Sequence, residues 1–125
     1  MDERRRERSE NPWVAGDLYL QTVAEHHGLD QLTLATREGL LLSSTGAREL
    51  GNRLAAVAPV FAEEPAMLTP GMLEEMAAGQ PVQLWRVTIR ERPFYLIGFG
   101  TPTDMPEDVQ SAFDRIFARR DRVAN

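Results

Sequence analysis

Between Leu32 and Ala62 the apolar spacing changes from two residues to about 3.6 with almost no connecting sequence, which restricts the chain to folds in which a hairpin feeds directly into a helix. Leu32, Leu34 and Thr36 alternate with Thr33 and Ala35, the pattern of a strand. Arg37-Glu38-Gly39 follows as a turn whose glycine can take positive φ, and a second strand is expected over residues 40–44. Three leucines, Leu40 to Leu42, then give way to Ser43-Ser44-Thr45-Gly46. That run lacks the closely spaced glycines and the lysine of a phosphate-cradling loop. In it neither serine has a glycine two residues away on both sides, as the serine of a nucleophile elbow does. Its hydroxyls are therefore expected to serve the turn and to cap a helix that starts near Ala47.

That helix, over residues 47–62, has two parallel stripes. Leu50, Leu54, Val57 and Phe61 form a large apolar one, suited to covering a sheet. Gly51, Ala55, Ala58 and Ala62 lie beside it, and a row of small side chains lets another backbone come close. The helix is expected to cover its own sheet with the first stripe and meet a second subunit with the other. Gly51, Leu54, Ala55, Ala58 and Ala62 are thus candidate dimer contacts, although alanine enrichment in the source genome accounts for the small stripe equally well. Pro59 removes one internal hydrogen bond and should bend the helix.

On either side of this unit the periodicity predicts further elements. A helix over residues 17–27 presents Leu20, Val23, Ala24 and His27 on one face and stops at Gly28. Residues 63–81 hold a short helix with Thr69 as N-cap and Pro70 in its first turn. Two strands, 82–89 and 94–99, form a hairpin in which Pro93 must occupy a strand start or an edge. Trp85 alternates with Val87 and Ile89 and suits either the core or a subunit interface. A last helix opens with Asp104 and Glu107 in capping-box spacing, buries Val109, Ala112, Phe113, Ile116 and Phe117, and has Arg119, Arg120 and Arg122 toward its end. The expected fold is a single α/β domain, an α+β sandwich over residues 13–122 with a mixed antiparallel sheet and the order α-β-β-α-(α)-β-β-α. A charged arm (1–12) and a short tail (123–125) flank it.

Charge narrows the function. The net charge is −5 and the pI about 5.0, so the molecule repels phosphate backbones and anionic lipid; no nucleic-acid or membrane partner is expected. There are no cysteines and no apolar run long enough to span a bilayer, and a cytoplasmic location is expected. All 14 basic residues are arginine, which we read as nucleotide bias in a high-GC bacterium. His26 and His27 are adjacent on a helix and cannot share a metal. The pairs Glu63-Glu64 and Glu74-Glu75 lie in polar connector sequence and read as solvated surface. No catalytic residue, cofactor or metal is assigned, and a non-enzymatic binding module is expected. Arg86, Arg90 and Arg92 cluster about the second hairpin, where they can receive an acidic partner or act as charged gatekeepers of an exposed edge.

The hairpin LTLATREGLLLSSTG leading into ELGNRLAAVAPVFA, within the order helix, strand, strand, helix, strand, strand, helix, resembles the roadblock / dynein light chain family. The resemblance implies a small sandwich that homodimerises through its second helix and an edge strand. It also implies a platform for a small Ras-like GTPase or a paralogous roadblock subunit in bacterial signalling, in motility or polarity. Arg48, Arg53, Arg86 and Arg90 are then candidate partner contacts, and Trp85 joins the candidate dimer contacts. The family has three strands after the second helix where only two are found here. A sensory domain of the PAS type, enclosing a small ligand, is the alternative.

Overall fold

The computed structural model describes residues 12–105 and 107–124, with side chains over 14–105 and 107–117. Apart from Pro12, the charged arm lies outside them, as do the side chains of Arg119, Arg120 and Arg122. Helix α1 (Pro12–His27) begins earlier than the expected Asp17, with proline in its first turn, where a missing N–H is harmless. Gly28, at φ 71°, ends it. Strands β1 (Leu29–Thr36), β2 (Leu41–Ser44), β3 (Val82–Ile89) and β4 (Arg92–Gly100) form one sheet in the order β2-β1-β4-β3, and every neighbouring pair is antiparallel. Between β2 and β3 the chain crosses one face as α2 (Arg48–Glu63), a 3-10 turn (Pro65–Met67) and α3 (Met72–Met76). Residues 63–81 thus supply no strand, and β3 is placed at the far edge. Helix α4 (Val109–Ala124) returns beside α1 on the opposite face. The result is the expected α+β sandwich.

Each face has its own core. Leu20, Val23 and Ala24 of α1 meet Val109, Phe113 and Phe117 of α4 above Leu32, Leu34, Val87, Ile89 and Leu96. Tyr19 stands edge-on to Phe113, with ring centres 5.5 Å apart. Its hydroxyl is buried, and Asp108 is the carboxylate that acts on it. Burial pushes its pKa up to about 12, and the Asp108 carboxylate charge adds to the rise. On the other face Leu54, Ala55 and Ala58 of α2 cover Ala35, Tyr95, Ile97 and Phe99, with Met76 and Ala77 at the margin.

Helix α2 is therefore rotated from the expected orientation. Ala55 and Ala58 have no exposed surface and Gly51 is buried, so this part of the small stripe lies on the chain's own sheet, together with Leu54 of the large one. Leu50, Val57, Phe61 and Ala62 are the half-buried ones. The reason lies beneath the first turns of the helix. A β-carbon on Gly51 would stand 2.6 Å from Ser44 Oγ, so only glycine lets the helix approach this closely.

The Ser-Ser-Thr run belongs to the sheet and not to the helix cap. The N-cap residue of α2 is Ala47, which makes no side-chain bond. Instead Gln31, 2% exposed, donates its amide to Thr45 O (2.6 Å) and Ser44 Oγ (2.9 Å), and Ser44 Oγ pairs with Thr33 Oγ1 (2.8 Å). Asp17 of α1 accepts from the Ser44 N–H (3.0 Å), and Thr45 Oγ1 accepts from the Leu32 N–H (2.9 Å). The hydroxyls thereby satisfy polar groups that the short strand β2 leaves unpaired. Two further caps differ from expectation. Helix α3 starts after Gly71 and not Thr69, and α4 starts at Val109, past the Asp104 and Glu107 pair.

Candidate interaction edge

Strand β3 has β4 as its only strand partner; on its other side the Gln110 side chain of α4 holds Thr88, accepting from its N–H (2.9 Å) and donating to its C=O, and no strand pairs with the rest of that edge. Its side chains alternate as the sequence requires: Val82 and Leu84 pack toward the α2 core, and Trp85, Val87 and Ile89 toward the α1/α4 core. Val87 and Ile89 are buried, whereas Val82, Leu84 and Trp85 are only half-buried. Half-buried Leu50, Val57 and Phe61 of α2 and Met72 of α3 adjoin the same α2 core as Val82 and Leu84. An unpaired edge with large apolar groups on both faces is the arrangement that natural sheets otherwise blunt.

Two blunting devices are present, the Gln110 amide on the Thr88 backbone and Arg86. Arg86 lies in the middle of β3, exposed, with its guanidinium 3.4 Å from the Glu63 carboxylate and 3.3 Å from Ala62 O, which accepts its N–H. The same group stands 6.0 Å from the centre of the Tyr95 ring. Tyr95 donates its hydroxyl to Glu63. Burial raises the Tyr95 pKa, and the Glu63 hydrogen bond and charge raise it further. Arg86 thus ties the last turn of α2 to the sheet, satisfying a terminal helix carbonyl. Arg86 nevertheless keeps exposed surface, and an exposed pair of this kind contributes at most about 1 kcal/mol and can be exchanged.

The hairpin joining β3 to β4 is a two-residue turn, Arg90-Glu91, with both residues at positive φ (54° and 66°). That is the backbone of a type I′ turn, which Asn-Gly would adopt without strain and which costs arginine and glutamate roughly 1 kcal/mol each. Pro93 sits near the start of β4, as expected.

The four candidate partner arginines do not converge. Arg48 is exposed near the start of α2, and Arg53 lines a hollow with Thr69, Pro70, Met72 and Glu75. Arg90 and Arg92 line a different cavity with Thr36, Leu42, Ile89, Phe94 and Phe117. Of the candidate dimer contacts, only Ala62 and Trp85 keep exposed surface; Gly51, Leu54, Ala55 and Ala58 are used internally. The apolar flank of α2 and the Val82-Leu84 pair replace them.

Among the described residues no three His, Asp or Glu side chains gather as metal ligands, and no helix is long and apolar enough to cross a membrane. His27 Nδ1 lies 3.1 Å from Thr103 Oγ1, while His26 is exposed. The chain matches no family model, no curated protein and no solved structure.

Proposed function

We propose that the chain is a non-enzymatic, dimeric roadblock-like adaptor that binds a small Ras-like GTPase or a paralogous roadblock subunit in bacterial signalling. One observation carries the reading: the open edge of β3, bordered by half-buried Leu84 on one face and Trp85 on the other. A second copy pairing along the first part of β3, short of Thr88 whose backbone Gln110 already holds, would cover Val82, Leu84, Trp85 and the Phe61 flank of α2. A continuous eight-stranded sheet would result. The element order and the placement of α2 alone with α3 on one face support the same reading. The resemblance in the hairpin leading into α2 supplies the partner class.

Light scattering coupled to size exclusion tests the dimer. The full chain should elute as a dimer at about 100 μM, and Leu84→Arg should elute as a monomer with an unchanged circular dichroism spectrum. A wild-type monomer at that concentration, or a Leu84→Arg dimer, would remove the basis for the adaptor reading. A small-ligand sensory module is the second reading, favoured by the cavity at the hairpin end of the sheet.

A further inference from the structure

Pairing with β4 decides which backbone groups of β3 face outward. In an antiparallel ladder, residue pairs that exchange both backbone bonds alternate with pairs that exchange none, whose N–H and C=O point away from each other. Thr88 stands opposite Pro93, and proline has no N–H to give, so this pair exchanges none. The Gln110 amide agrees with this phase, because it reaches the Thr88 N–H (2.9 Å) and C=O from outside the hairpin. Counting back by twos, Arg86, Leu84 and Val82 also turn their N–H and C=O outward. Among the described residues, no hydrogen bond takes these outward groups of Val82, Leu84 or Arg86.

At Thr88 the Gln110 side chain does what a neighbouring strand would do. A primary amide offers an N–H and a C=O side by side, the same pair that a strand residue exchanges with the residue opposite. The Asp114 carboxylate, one turn on in α4, lies 3.2 Å from the same Gln110 nitrogen and accepts from it. The amide is thus held from the helix, and a strand residue cannot take its place. The edge left for pairing begins with β3 at Val82 and ends at Arg86, and Leu84 is its middle outward residue.

From this we infer that Gln110 fixes the register in which two copies of the chain pair along β3, with the two-fold axis at Leu84. The inference rests on the dimer reading above. Identical antiparallel strands pair about one residue, and outward residues must meet outward residues. Centred on Leu84, the pairing sets Leu84 against the partner subunit's Leu84, Val82 against the partner subunit's Arg86, and Arg86 against the partner subunit's Val82. Every outward residue short of Thr88 is then used. Pro81 falls opposite the partner's Val87, whose backbone groups are turned inward, so its missing N–H removes no pairing bond. Centred on Trp85, Val82 would have to displace the amide that holds the partner's Thr88. Centred on Arg86, two like charges would face each other and Leu84 would meet that blocked position. Centred on Gln83, Arg86 would lie beyond the start of the partner's β3 and stay unpaired.

The chain has no cysteine, so single cysteines read the register without background. Gln83→Cys, Leu84→Cys and Trp85→Cys are each oxidised with copper phenanthroline and followed on non-reducing gels. Leu84→Cys, with Cα atoms about 5.5 Å apart across the axis, should cross-link about tenfold faster than the other two, whose Cα atoms would be about 7–8 Å apart and out of reach of an unstrained disulfide. In a Gln110→Ala background the Trp85-centred pairing opens and uses Thr88 as well. The fastest cross-link should then move to Trp85→Cys, and the dissociation constant should fall about tenfold. Protein without any substitution gives an independent reading: in a dimer of labelled and unlabelled chains, an isotope-filtered NOE should join the Gln83 and Trp85 α-protons, which face each other in a close non-exchanging pair. A dimer that cross-links fastest at Gln83 or Trp85 with Gln110 in place, or one whose fastest site stays at Leu84 without Gln110, would overturn this inference and leave the dimer reading standing. A wild-type monomer by light scattering would overturn both.

Discussion

Replacing Gly51 by alanine sets two effects of known size against each other. Gly51 lies inside α2, where alanine is normally favoured over glycine by about 1 kcal/mol. Against this, the added β-carbon would lie 2.6 Å from Ser44 Oγ and 3.0 Å from Ser44 Cβ. Ser44 cannot simply swing away, because Gln31 Nε2 (2.9 Å), Thr33 Oγ1 (2.8 Å) and Thr45 O (3.0 Å) hold its hydroxyl. Gln31 and Thr33 are 2% and 0% exposed, so losing Ser44 leaves buried polar groups short of a partner at roughly 1–3 kcal/mol. Overpacking adds a similar amount if the helix moves instead. The net expectation is a loss of about 2 kcal/mol, measured by urea denaturation at two protein concentrations tenfold apart. Placing Gly51→Ala in a Ser44→Ala background should recover about 1 kcal/mol of that loss, since the closest atom is gone. Were Gly51 a contact between subunits, alanine would instead raise the stability of each subunit by about 1 kcal/mol and weaken association. A Gly51→Ala protein as stable as wild type, or more so, refutes the packing described here.

Three other outcomes are expected. Ala55→Arg, at a position with no exposed surface, should lose more than about 4 kcal/mol and give an unfolded circular dichroism spectrum; a folded monomer would return the small stripe to the subunit interface. Glu91→Gly should raise stability by about 1 kcal/mol in urea denaturation, because glycine takes the φ of 66° without strain, and an unchanged midpoint would argue against the type I′ turn. Tyr19 keeps its proton to about 12 when folded but loses it near 10.0 when unfolded, so its contribution to stability is present below pH 10 and is lost as pH rises from about 10 to 12. Tyr19→Phe should flatten that alkaline loss and remove one late-titrating phenol at 295 nm; a titration with every phenol near 10 would contradict the burial of this hydroxyl.

Most of the fold is legible in the chain because its elements are short, strongly periodic and punctuated. The strand 82–89 is matched by β3, and Gly28 stops α1 where the left-handed residue was expected. Boundaries proved harder to read where a proline or a polar group has two uses. Pro12 looks like the limit of disorder in sequence yet opens a helix, and Asp104 with Glu107 has capping spacing yet precedes a helix that starts at Val109. Of the candidate site, Trp85 and the hairpin arginines were visible as residue types. Their separation was not, because the topology, and not the spacing, sends Arg53 to one hollow and Arg90 to another.

The rotation of α2 shows what periodicity leaves undetermined. The two stripes share a helix and differ by roughly one residue of rotation, about 100°, so the apolar pattern alone cannot decide which faces inward. The surface below the helix decides it. Thr33 and Ser44 pair across β1 and β2 and bring two hydroxyls up under the first turns of α2, a place where Leu50 would bury polar groups under an alkyl chain but Gly51 leaves them bonded to each other. Farther along, Ala55 and Ala58 pack in the same core as Ala35 and Ile97. Once the small stripe is used in this way, Leu50, Val57 and Phe61 are left on the flank of the helix with too little of the chain's own sheet to cover them. The exposed apolar edge that a partner would use is therefore a direct consequence of the polar seam beneath α2.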